Sequence, residues 1–71
     1  MNDIKTKLYD VLMVNTITGN IRAIAGESKT IENAEAIVKM AIIRRGVGEE
    51  FYPIVNAGSL KVGDIFDGAG V

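Results

Sequence analysis

From Tyr9 to Asn15 the chain alternates two sets of side chains, with Tyr9, Val11 and Met13 on one side and Asp10, Leu12 and Val14 on the other. Both sides are largely apolar, the mark of a strand covered on both faces. Thr16-Ile17-Thr18-Gly19-Asn20 then supplies a glycine where a hairpin loop needs positive φ, and Ile21 to Ala25 returns, so residues 8–26 are expected to form a β-hairpin. Gly26-Glu27-Ser28-Lys29 is expected to be a loop. Thr30 offers its hydroxyl as the N-cap of a helix over residues 31–45. Glu32 lies in the first turn of that helix and Arg44 and Arg45 in the last, each favourable to the helix dipole, and Gly46 is the stop signal.

That helix carries two apolar stripes. Ala34, Ile37, Val38 and Ala41 follow the spacing that docks a helix onto its own domain. Ala36, Met40 and Ile43 lie on roughly the opposite side, with Glu32, Glu35 and Lys39 filling the polar gap on one flank. Scattered surface apolarity is common on folded proteins. A contiguous second stripe is better explained by a partner helix, most economically the same helix of another copy packed about a twofold axis. Residues 49–55 alternate as a third strand, which Pro53 confines to an edge or a bulge. Residues 56–71 are rich in glycine yet contain Leu60, Val62, Ile65 and Phe66, and are expected to be an extended arm packed on its own sheet or on a neighbouring copy. The fold class expected is α+β: a small ββαβ domain, an antiparallel sheet with one helix, plus a C-terminal extended arm, assembling as a homo-oligomer after a flexible stretch over residues 1–7.

Length and composition sharpen this picture. A chain of 71 residues has room for one domain, and a domain of that size is only marginally stable alone. There is no cysteine, which excludes disulfides and thiolate metal sites, and no histidine, which removes the commonest metal ligand and general base. Oligomerisation is the remaining source of stability. Eight Lys and Arg against nine Asp and Glu give a net charge of −1, which argues against duplex nucleic acid but leaves room for a compact anion held by a few cations brought together. The first residues mix charges and lack an apolar core, and no stretch approaches the ~18 apolar residues of a spanning helix. The expectation is a soluble, intracellular protein.

Catalysis is poorly supported, and no cofactor or metal is expected. The close carboxylate pairs, Glu49-Glu50 and Asp64-x-x-Asp67, read more simply as a solvated turn and as turn-forming aspartates, and the second does not fit an EF-hand spacing. Gly68-Ala69-Gly70 has no following helix and so is no dinucleotide fingerprint. Arg44 and Arg45 are the cations of interest, because arginine suits bidentate recognition of phosphate and neither falls on the plain solvent face of the helix. The alternative is that they cap helix carbonyls or pair with Glu49 and Glu50. Tyr9, Tyr52 and Phe51 offer flat surfaces on which a base could stack for about 1–3 kcal/mol each, with packing as the default role. Phe51 and Tyr52 alternate, so Phe51 is assigned to the main core and Tyr52 turns its phenol toward a cleft. Arg22 is either a further cation or an ordinary exposed strand arginine.

The stretch Ala34-Glu35-Ala36-Ile37-Val38-Lys39-Met40-Ala41-Ile42-Ile43-Arg44-Arg45-Gly46-Val47, followed by Glu49-Glu50-Phe51, resembles a pattern in short proteins of tailed bacteriophages. These are the viral nucleotide sponges, small anti-CBASS proteins that bind cyclic dinucleotide signals and withhold them from host immune effectors. The resemblance covers residues 34–52. It implies a homo-oligomer, a tetramer, with pockets between subunits, no turnover and a place in the host cytoplasm. The leading expectation is therefore a non-enzymatic sponge for cyclic nucleotides, with Tyr9, Arg22, Arg44, Arg45 and Tyr52 as ligand-binding residues. Its rivals are an inhibitor or accessory factor that adds its 49–55 edge to a host sheet, and a small nuclease using Glu49, Glu50 or Asp64 with metal.

Overall fold

The computed structural model describes residues 7–45 and 48–67, with the backbone alone at Arg45. Expectations for residues 1–6, for the stop at Gly46 and for Gly68-Ala69-Gly70 lie outside the described residues. The elements are β1 (Tyr9–Asn15), β2 (Ile21–Lys29), α1 (Ile31–Arg45), β3 (Glu50–Phe51) and β4 (Ile54–Asn56). The strands form one antiparallel sheet with β1 in the middle, β2 on one side and both β3 and β4 on the other.

The hairpin turns where expected. The Asn15 side-chain oxygen accepts from the N–H groups of Ile17 and Thr18, both at 2.9 Å, and Gly19 takes φ 78°. The loop expected at Gly26–Lys29 is instead the far half of β2, where pairing resumes as Tyr9 opposite Lys29. Register shifts absorb the extra residues. Ser28 adopts φ 55°, and its N–H is held at 2.9 Å by a carboxylate oxygen of Asp10, which fixes the irregular backbone against β1. The expected third strand is likewise divided. Val14 and Asn15 pair with Phe51 and Glu50, and Tyr9, Asp10 and Val11 with Asn56, Val55 and Ile54, so one register runs through the gap. The Leu12 N–H still donates to the Pro53 carbonyl at 3.0 Å; only the return bond, for which proline has no donor, is missing.

Helix α1 starts where Thr30 accepts from the Asn33 N–H with its hydroxyl oxygen, at 3.3 Å. Its expected inner stripe packs on the sheet: Val11, Ala34 and Tyr52 are buried, flanked by Tyr9, Met13, Ile37, Val38, Ala41 and Ile54. The opposite face of the sheet holds a second cluster, Leu12, Val14, Ile21 and Val55, covered by Leu60 and Phe66 from the C-terminal segment. Strand β1 is thus covered on both sides. The arm packs on its own sheet, but through turns rather than as an extended strand, with Gly58 and Gly63 at φ 78° and 96°. It is fastened to the start of β2 by bonds from the Ile21 N–H to the Asp64 carbonyl, 2.9 Å, and from the Gly63 N–H to the Ile21 carbonyl, 3.0 Å.

The two adjacent aromatics are exchanged relative to expectation. Tyr52 is buried beneath the helix, whereas Phe51 is 38% exposed. The reason is which face the helix covers: Tyr52 lies level with Met13 on the helix side, and Phe51, opposite Val14, falls at the rim of the arm side against Phe66.

Candidate functional site

The helix does not seal the sheet along its whole length. A groove of about 450 Å³ runs between α1 and the β1–β2 pair, walled by Ala36, Ile37, Met40, Ala41 and Arg44 and floored by Met13, Ala25 and Tyr52. Ala25 explains part of the space. Val11 pairs with Gly26 and Leu12 with Ile24, which leaves Ala25 bulged without a strand partner, and it presents only a methyl group. A second groove of about 400 Å³ lies on the other flank of the helix, between Val38 and Ile42 on one side and Glu50, Phe51 and Pro53 on the other, and it shares Tyr52.

Tyr52 therefore sits under the helix between two grooves. It is 8% exposed, and its hydroxyl is buried without a hydrogen-bond partner. A buried phenol ordinarily finds a partner, so this orphaned group stands out among the described residues. Arg44 is exposed on the last turn and lines the first groove, which is otherwise walled by aliphatic side chains.

Of the five residues singled out from the sequence, the fold brings Arg44 and Tyr52 to one groove. Tyr9 lies at the flank of the helix-side core with the Lys7 ammonium 5.6 Å from its ring centre, and lines neither groove. Arg22 is engaged across β1 with Glu50 at 3.4 Å, so this strand arginine is held in an ion pair within the sheet. The side chain of Arg45 lies outside the described residues.

Asp10 was legible only as a lone acid on an otherwise apolar strand face. It is 4% exposed, and its two oxygens accept from the Ser28 and Gly58 N–H groups, each at 2.9 Å. Both contacts are internal, so this carboxylate is a clasp between β2, β1 and the turn after β4. Asp64 accepts from the Lys61 N–H at 3.0 Å, the turn-forming role expected of it. Among the described residues no three His, Cys, Asp or Glu side chains gather as a metal site, and no helix is long and apolar enough to cross a membrane.

In class the chain is a small α+β domain, a four-stranded antiparallel sheet with one helix on one face and an irregular arm on the other. No protein-family model, curated protein or solved structure matches it.

Proposed function

We propose that the protein is a non-catalytic binder of cyclic nucleotides, a phage-encoded homo-oligomer that sequesters such signals in the cytoplasm of the host. The observation that carries this reading is the convergence of Arg44 and Tyr52 on one apolar groove. A guanidinium at the rim suits a phosphate, and aliphatic walls over the Tyr52 ring suit the face of a base. The lining is a set for binding rather than turnover. At about 450 Å³ the groove is of a size for part of a nucleotide ligand, so a two-base ligand would draw on the grooves of two copies.

Assembly belongs to the same reading. Met40 and Ile43 remain 51% and 68% exposed on the flank of the helix that carries Arg44. Packing that flank against another copy would cover these side chains and bring two Arg44 guanidinium groups close together.

Isothermal titration against a panel of cyclic di- and trinucleotides, with mass spectrometry of the recovered ligand, tests the proposal. At least one member is expected to bind and return intact, and Arg44→Ala to weaken it about tenfold or more, the worth of a charge-assisted hydrogen bond. Absence of binding across the panel, or recovery of a cleaved product, would reject it.

A further inference from the structure

The outer edge of the sheet carries an inference independent of any nucleotide. Leu12 donates to Pro53, Thr16 to Glu49, and Ala57 to Leu8, so the odd-numbered residues of this edge turn their backbone groups inward to β1. By the alternation of an antiparallel ladder, Tyr52 and Ile54 turn theirs outward, one on each side of Pro53. Proline's missing donor falls on the inner row. It leaves the outer row intact.

Edges of sheets are commonly guarded by lysine, by an outward-acting proline or by a bulge. This one has none of these. Between residues 50 and 56 the one charged side chain is Glu50, already engaged with Arg22. Phe51 and Ile54 add apolar surface beside the second groove, which wraps the same edge through Phe51, Tyr52 and Pro53.

We infer that this edge pairs with itself, two copies continuing one sheet antiparallel about a twofold axis at Pro53. What favours a second copy is the edge's own charge pattern, because about an axis at Pro53 the lone carboxylate meets an amide and not its twin. With Pro53 on the axis, Tyr52 falls opposite the partner's Ile54 and Ile54 opposite the partner's Tyr52, so the outward groups of both residues meet complements in about four backbone bonds. In that register Phe51 stands opposite the partner's Val55. Glu50 stands opposite the partner's Asn56, so no like charges meet. The two prolines face each other at a position that asks no donor of either.

The absence of native cysteine makes this directly testable. Facing residues at a non-hydrogen-bonded antiparallel position have Cα atoms about 4.5 Å apart, within disulfide range. Pro53→Cys, which also restores an inward N–H, is expected to oxidise to a covalent dimer at low micromolar concentration. Its yield should exceed by about tenfold that of Ile17→Cys on the exposed hairpin turn, because the edge holds the two thiols at high effective concentration. The dimer should persist when Met40→Glu and Ile43→Glu are added to block helix-mediated assembly. Circular dichroism confirms that each variant is folded. If folded Pro53→Cys cross-links no better than Ile17→Cys, or only while the helix face is intact, or forms adducts with other proteins in place of itself, the inference is overturned; none of these outcomes bears on nucleotide binding.

Discussion

A phenol hydroxyl shut away from water without an acceptor is a net cost to the fold, and Tyr52 carries one. The penalty for such a group is about 1–3 kcal/mol, and removing it while keeping the ring leaves the surrounding packing in place. Tyr52→Phe is therefore expected to raise the free energy of unfolding by about 1 kcal/mol, read as a higher urea midpoint at unchanged slope. A lower midpoint would show that the hydroxyl has a partner in solution. The same residue marks the limit of the sequence: alternation puts Phe51 and Tyr52 on opposite faces, but which face the helix covers depends on contacts remote in sequence. Asp10 was illegible for a similar reason. Its two donors, Ser28 and Gly58, lie 18 and 48 residues away, and neither is marked by a local pattern.

At the scale of elements, the helix is seated on a glycine. A methyl group added at Gly26 would lie 2.6 Å from the Cδ1 of Ile37, closer than packed atoms sit. Gly26→Ala is expected to destabilise the domain by no more than about 1 kcal/mol, because the atom in the way is the free end of the Ile37 side chain, which can swing aside. Ile37→Val, which deletes the offending atom, should cost less in the Gly26→Ala background than alone, and a double-mutant cycle on denaturation midpoints measures the difference. Additive effects would mean that the end of the Ile37 side chain swings clear of the added methyl group. Helix bounds, inner stripe and Thr30 cap were all readable because each is set within a few residues of sequence. The extension of β2 to Lys29 and the continuous register through Pro53 were not, since both are imposed by the central strand.

For the molecule as a whole, the alternating apolar faces of β1 foretold a sheet covered twice, and the structure supplies the covers from one helix and one arm. The outer helix stripe stays in solvent, with Met40 and Ile43 exposed. Met40→Glu with Ile43→Glu is expected to leave the fold intact, because both side chains are at least half exposed, and to lower the mass seen by analytical ultracentrifugation. An unchanged sedimentation mass would show that this stripe holds no copies together. The candidate site was legible in its parts, an arginine at the helix end and a nearby tyrosine. Their meeting was not, because it depends on a bulged alanine and on where the helix crosses the sheet, both set by pairings remote in sequence.

The arm's role as the second cover has a consequence for how the chain matures. The carboxylate of Asp10 cannot complete its pair of bonds, nor Leu12, Val14 and Ile21 lose their contact with water, until Gly58, Leu60 and Phe66 have been synthesised. On the ribosome the greasy underside of the nascent sheet stays bare until Phe66 emerges, so this layer of the core closes only after the helix and all the strands have been made.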